Sequence, residues 1–113
     1  IYLLVDKNQM NRMLTNLLKN AIYATDSTTD PLIEVTTYVT DDFAYIVVKD
    51  NGSGIPPELQ ERIFEPKFTT KNTAGSGLGL TMVKHIINAH GGTITLNSEV
   101  GKGATFTVEL KIR

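Results

Sequence analysis

The chain has 113 residues, a formal net charge of −1 and no cysteine. This length suffices for one hydrophobic core without cross-links. The near-neutral charge argues against nucleic-acid binding, which usually needs a strong basic excess. Without cysteine there are no disulfides and no thiolate metal sites, as is compatible with a cytoplasmic location. No apolar run reaches the ~18 residues that span a bilayer, so we expect no membrane contact by this segment.

Hydrophobic periodicity predicts a single α+β domain over residues 1–113. The chain opens in an apolar strand that is already under way, which suggests a piece of a longer protein. We expect a two-layer sandwich, with helices covering one face of a mixed, mostly antiparallel sheet of about five strands. The predicted elements are strand 1–5, helix 7–25, strands 32–39 and 43–49, short helix 58–63, loop 65–76, helix 77–90, and strands 93–98 and 104–112.

Two asparagines on the first predicted helix are candidates for metal binding. Asn16 and Asn20 are four residues apart, so their carboxamides lie one above the other, beside the apolar stripe. Asparagine is a mediocre helix former, and a carboxamide oxygen is a ligand that Mg²⁺ accepts. The alternative is that both side chains are solvated or bond the backbone, which is the commoner fate of polar residues on helices.

The second candidate site is the segment 50–54, Asp-Asn-Gly-Ser-Gly, at the end of a predicted strand. Asp50 could accept a hydrogen bond from a ligand amino group, while Gly52 and Gly54 let the backbone approach a flat ligand. A hairpin turn is the alternative, because Asn-Gly favours one. That alternative needs a return strand at once, and Pro56 and Pro57 cannot supply it.

A third, glycine-rich segment precedes the second long helix, where free N–H groups suit a phosphate. Its spacing fits neither a P-loop nor a dinucleotide-binding fingerprint. A flexible linker is the alternative for this segment. The glycines near residues 101–103 are weaker still, since most such sequences are hairpin turns.

Taken together and in this order, the motifs resemble the ATP-binding domain of the GHKL superfamily, and most of all that of sensor histidine kinases. The resemblance covers the chain nearly end to end and implies the Bergerat-type ATP-binding fold, a short ATP lid at about 65–76 of the kind found in nitrogen-regulator-type kinases, and ATP and Mg²⁺ as cofactors. The matching segments are 16–21, 50–54, 63–71, 75–80 and 101–106.

The resemblance also implies roles for individual residues. Asn20 would hold Mg²⁺ against the triphosphate, and Asn16 would assist near the phosphates. Asp50 would accept a hydrogen bond from the adenine amino group, with Thr105 supporting it, and Tyr23 would line the base pocket. The other implied ATP contacts are Gly52, Gly54, Ile55, Phe64, Thr70, Lys71, Gly75, Gly77, Leu78, Gly79 and Leu80. Phe64 or Phe68 would hold the lid.

The implied reaction is phosphoryl transfer to a protein histidine. The hydrolytic members of the superfamily carry a glutamate base where this chain has Asn16, which cannot take a proton at neutral pH. Neither His85 nor His90 has the acidic neighbour typical of a phosphoacceptor, so we expect no self-phosphorylation. The acceptor would lie on a separate dimerisation domain of the same parent protein, with a response regulator as the indirect partner.

We further expect a cytoplasmic domain that is monomeric in isolation, whose parent protein could be membrane-anchored. A nucleotide-dependent interaction module, either a pseudokinase or an anti-sigma-like switch, is the alternative function. Arg12 and Lys67 keep it open, because both depart from the residues usual at their positions.

Overall fold

The computed structural model describes residues 6–65 and 79–112. All predicted elements within these residues are present, with small shifts at their ends. The predicted strand 1–5 and most of the predicted lid lie outside the described residues. The elements are α1 (Lys7–Ala24), β1 (Ile33–Val39), β2 (Phe43–Asp50), α2 (Pro57–Gln60), α3 (Gly79–Ala89), β3 (Thr93–Glu99) and β4 (Gly103–Lys111).

The helix α1 begins and ends where local chemistry satisfies its free backbone groups. The Asp6 side chain caps the start by accepting a hydrogen bond from the backbone N–H of Gln9 at 3.1 Å. At the other end, the buried Thr25 hydroxyl donates to the carbonyl oxygen of Ala21 at 3.0 Å. The buried face between them carries Met13, Leu17 and Ala21 at helical spacing. The helix therefore presents one apolar stripe to the sheet.

The described sheet has four strands in the order β1-β2-β4-β3, and all neighbouring strands are antiparallel. The sequence predicted a mixed sheet of about five strands. Among the described residues no parallel pair occurs: tight turns connect β1 to β2 and β3 to β4, as antiparallel neighbours allow, and β2 is antiparallel to β4 as well. The turn after β1, where the Thr40 N–H donates to the Phe43 carbonyl oxygen at 2.8 Å, lies at the opposite end of β2 from Asp50.

The core lies between one face of the sheet and the two long helices. Alternate residues of β4 are buried on that face: Ala104, Phe106, Val108 and Leu110. They pack against the buried face of α3, which includes Val83, Ile86 and Ile87, and against the stripe of α1. Burying a side chain of the size of Leu or Phe contributes about 1.5–3 kcal/mol. The predicted two-layer α+β arrangement, with helices on one face, is confirmed.

Among residues 6–65 and 79–112, none of the helices has the length and apolar character that crossing a membrane requires.

Candidate functional site

The carboxylate of Asp50 is buried at the end of β2, with 3% of the residue exposed. One oxygen, Oδ1, accepts a hydrogen bond from the backbone N–H of Gly52 at 2.9 Å. The backbone N–H of Ala104, which faces Asp50 across the β2–β4 pair, donates to the carboxylate as well. Burial raises the pKa of Asp50, and these two hydrogen bonds partly offset the rise. A carboxylate has about four acceptor positions, so it can still accept a hydrogen bond from a ligand.

The turn after Asp50 is held against the end of α1. The backbone N–H of Ser53 donates to the Ala24 carbonyl oxygen at 3.1 Å. A Cβ on Gly52 would clash with that same carbonyl and lie 3.0 Å from Oδ1 of Asp50. Gly54 has a φ of 75°, and a Cβ there would clash with the Glu99 carbonyl oxygen. Both glycines are therefore required by the protein's own backbone.

Two polar side chains that the sequence analysis did not single out hold this turn from other sides. The Ser98 hydroxyl accepts from the Ile55 N–H at 2.8 Å and donates to the Gly103 carbonyl oxygen at 2.9 Å. The Asn51 side chain accepts from the Leu32 N–H at 2.8 Å and donates to the Asp30 carbonyl oxygen at 3.0 Å. No local signal marks these bonds of Asn51, because Leu32 and Asp30 are 19 and 21 residues away. No local signal marks Ser98, because Ile55 is 43 residues away.

The two asparagines of α1 are both half-buried, as the helical spacing predicts. Within the described residues, neither carboxamide makes a hydrogen bond to another side chain or to the backbone. Within the described residues, the structure therefore does not contain the alternative in which Asn16 and Asn20 bond the backbone. Their oxygens are free to contact a ligand or a hydrated cation.

Thr105 is not brought to Asp50. The register pairs Thr105 with Lys49, whereas Ala104 pairs with Asp50. Successive strand residues point to opposite faces of a sheet, so the Thr105 side chain lies on the face away from the helices. The support that the sequence assigned to the Thr105 side chain comes from the backbone N–H of Ala104.

The aromatic ring of Phe64 packs at the point where the predicted lid begins. It meets Phe106 edge to face with ring centroids 6.3 Å apart, and the Lys84 ammonium lies 5.3 Å from its centroid. The Phe64 carbonyl oxygen accepts from the Thr81 hydroxyl at 2.8 Å. Phe64 thus holds the chain to α3 just before the lid segment. Five other predicted site residues, together with Phe68, lie outside the described residues: Thr70, Lys71, Gly75, Gly77 and Leu78.

Two cavities lie beside the predicted site. Asn16 of α1 and Gly79, the first residue of α3, line a cavity of about 520 Å³. Tyr23, which is 47% exposed, lines a second cavity of about 460 Å³ together with Gly52. Leu80 is half-buried and packs against the core. The fold therefore brings Asn16 beside Gly79 and Tyr23 beside Gly52, whereas Thr105 lies on the other face of the sheet.

Comparison with known proteins identifies the family. Residues 5–113 match the family of histidine kinase-, DNA gyrase B- and HSP90-like ATPases. The sensor histidine kinase ZraS of Salmonella typhi is 43% identical over 107 residues, which cover 95% of this chain and 23% of that protein. The solved mycobacterial sensor histidine kinase MprB has a TM-score of 0.86 at 28% identity, covering 98% of this chain and 77% of that one. The catalytic domain of the histidine kinase ThkA has a TM-score of 0.83 at 36% identity, covering 96% and 70%.

The relatives are much longer than this chain, which spans 17% to 23% of the length of three of them. The likeness nevertheless extends over nearly all of the chain, from α1 to β4. The chain belongs to the histidine kinase-, DNA gyrase B- and HSP90-like ATPase family, as an ATP-binding domain of the sensor histidine kinase kind.

Proposed function

We propose that the chain binds Mg-ATP and donates its γ-phosphoryl group to a histidine on a separate dimerisation domain of the parent protein. The observation that carries this proposal is the buried carboxylate of Asp50, which two backbone N–H groups fix at the end of β2. Such a carboxylate can accept a hydrogen bond from the amino group of adenine. The glycine turn after β2 keeps this carboxylate in place, because Gly52 packs against the backbone of Ala24 and Gly54 packs against that of Glu99.

The residues present fit a magnesium ion that is shared with the nucleotide. Mg²⁺ takes oxygen ligands and usually keeps waters and phosphate oxygens in its shell, so one protein oxygen is sufficient. Asn20 would supply that oxygen, and Asn16 would contact the phosphates from the preceding turn of α1. The described residues contain no group of three or more acidic or histidine side chains that could hold a metal without the nucleotide. When bound, the cation would neutralise charge that develops on the phosphates.

Transfer to a protein side chain is favoured over hydrolysis because Asn16 cannot act as a base for water. In the transfer, the bond between the γ-phosphorus and the β-γ bridging oxygen breaks, a bond to an imidazole nitrogen forms, and ADP leaves. The chain's own histidines are poor acceptors. His90 donates from Nδ1 to the Ile86 carbonyl oxygen at 2.8 Å and accepts at Nε2 from the Asp6 N–H at 3.1 Å. We therefore place the acceptor on another domain, with a response regulator as the next recipient.

The test is calorimetric titration of the chain with Mg-ATP beside its Asp50→Ala variant. Losing a charge-assisted hydrogen bond should cost about 1.5–3 kcal/mol, a ten- to hundredfold weakening. Asp41→Ala is the matched control, because Asp41 is exposed in the turn at the far end of β2 and should not change the affinity. Equal affinities for all three proteins would remove Asp50 from the site.

Transfer itself is tested with γ-labelled ATP and the histidine-bearing domain of the parent protein, supplied as a separate chain. We expect label on that domain and none on the chain alone. Binding of Mg-ATP without transfer to the supplied domain would favour the nucleotide-dependent interaction module. A cytoplasmic location and a monomeric state in isolation are also parts of the proposal. Analytical ultracentrifugation tests the monomeric state.

A further inference from the structure

The side chain of Thr81, the third residue of α3, bonds a part of the chain outside its own helix. Its hydroxyl donates to the Phe64 carbonyl oxygen at 2.8 Å, across 17 residues of sequence. Threonine is a mediocre helix former, and inside a helix its hydroxyl often bonds a carbonyl of the preceding turn. The Thr81 hydroxyl instead joins the first turn of α3 to the chain that follows α2.

Phe64 is a firm anchor for this bond because the core holds its ring. The ring meets Phe106 edge to face with centroids 6.3 Å apart, and Phe106 is 1% exposed. Lys84, three residues after Thr81 and on the same side of α3, places its ammonium 5.3 Å from the centroid of the Phe64 ring. That ammonium is exposed, whereas the hydroxyl bond is partly buried, so water competes less with the bond of Thr81.

The start of α3 is open on the side of the proposed phosphates. Gly79, its first residue, lines the cavity of about 520 Å³ together with Asn16, the residue proposed to contact the phosphates. Within residues 6–65 and 79–112, nothing lies within 4 Å of a Cβ built on Gly79. The first backbone N–H groups of a helix have no partner within the helix and can donate to an anion. They reach a phosphate oxygen only if the first turn is held within hydrogen-bond distance of it.

We propose that Thr81 is a positioning residue for the triphosphate, because its bond to Phe64 fixes the first turn of α3 where the N–H groups of Gly79 and Leu80 meet the phosphates. The inference rests on the proposed function and adds a residue to it. Thr81 itself would not touch the nucleotide. Its effect should therefore fall on the phosphates and not on the adenine, which Asp50 would bind at the end of β2.

The experiment compares the affinity for Mg-ATP, measured by calorimetry, with the affinity for adenosine, measured by NMR titration. Thr81→Val nearly keeps the shape of the side chain and removes the hydroxyl. It should weaken Mg-ATP binding about three- to tenfold, the range expected for one neutral hydrogen bond. The affinity for adenosine, which has no phosphate, should stay within about twofold of that of the unchanged chain. A general loss of stability weakens both ligands by the same factor and cancels in their ratio.

Two further variants serve as controls. Thr81→Ser keeps the hydroxyl, so it should return the Mg-ATP affinity to within about twofold of the unchanged value. Thr95→Val makes the same chemical change at an exposed threonine of β3. Its neighbours Ile94 and Leu96 pack against the core, so the Thr95 side chain lies on the other face of the sheet. Thr95→Val should leave both affinities unchanged.

The outcomes separate this inference from the proposed function. Equal losses for both ligands in Thr81→Val, an unchanged Mg-ATP affinity, or a Thr81→Ser chain as weak as Thr81→Val would each overturn the inference. It would also fall if the unchanged chain bound adenosine as tightly as Mg-ATP, because the start of α3 would then not contact the phosphates, although the adenine pocket would stand. Absence of binding of either ligand by the unchanged chain would defeat the proposed function and the inference with it.

Discussion

The carboxylate of Asp50 is both buried and held by hydrogen bonds that favour its ionised form. Burial is the larger effect, so the pKa of Asp50 lies above the ordinary aspartate range. The folded chain therefore binds a proton at Asp50 more tightly than the unfolded chain does. It follows that ionisation of Asp50 lowers the stability of the ligand-free fold. This destabilisation falls on the residue that is proposed to bind the adenine amino group.

This linkage predicts a pH dependence that Asp50→Asn removes. Relative to that variant, the unchanged chain should lose stability as the pH rises from about 4 through the raised pKa, and the difference should be constant above it. Urea unfolding of both proteins over a pH series measures the effect, and the other carboxylates cancel in the difference. A difference that does not change with pH, or that grows in favour of the unchanged chain, would contradict the prediction.

At this scale the sequence predicts side chains better than it predicts backbone partners. Residue type and spacing predict Asp50, Asn16 and Asn20 as site residues. The structure places Asp50 in a buried position at the start of the glycine turn, and it places both asparagines in half-buried positions on α1. The second donor to Asp50 could not be predicted, because it is a backbone N–H on β4. Its identity depends on the register with β2, and a shift of one residue moves Thr105 to the other face.

Among the elements, the glycine turn after β2 depends on close contact with the end of α1. Gly52→Ala should therefore destabilise the chain by about 1–3 kcal/mol, because the added methyl group clashes with the Ala24 carbonyl. It should also weaken Mg-ATP binding by moving Asp50. Gly79→Ala is the matched control: within residues 6–65 and 79–112 no atom would lie within 4 Å of the added Cβ, and alanine should stabilise the helix slightly. Urea unfolding compares the two, and a Gly52→Ala chain as stable as the unchanged one would contradict the steric argument.

The ring of His90 joins the end of α3 to the start of α1 through hydrogen bonds at both of its nitrogens. His90→Ala should lower the free energy of unfolding by about 1–2 kcal/mol, since it leaves two backbone groups without that partner. His85→Ala provides the comparison, because His85 is exposed one turn earlier, and its effect should stay within about 0.5 kcal/mol. Similar losses for the two variants, measured by urea unfolding, would show that the His90 ring does not join the helices.

Periodicity predicts where the elements lie because it reports which side of each element is buried. It gave α1, both hairpins and α3 with correct types. It could not give the contact between His90 and Asp6, which are 84 residues apart. It also could not give the cavity between α1 and α3, because Arg12 and Lys19 look like ordinary solvated residues until α3 is placed beside them.

At the level of the whole molecule, burial is unevenly distributed across the sheet. β4 has a strand on each side and four buried core residues, whereas β1 is exposed over six of its seven residues. Amide hydrogens of β4 should therefore exchange only through global unfolding, and the hydrogen-bonded amides of β1 should exchange through local opening with a lower free energy. Exchange measured by NMR, corrected for intrinsic rates, tests this order. Equal protection in the centres of both strands would contradict it.

The turn between β1 and β2 has a practical consequence. The register places it about 23 Å from Asp50 along β2, at the other end of the sheet from every described site residue of the glycine turn. A fluorophore or a surface tether attached at Asp41 would leave the nucleotide and the seam between α1 and α3 uncovered. The hairpin is thus the natural place from which to immobilise this kinase domain and watch acceptors arrive one at a time.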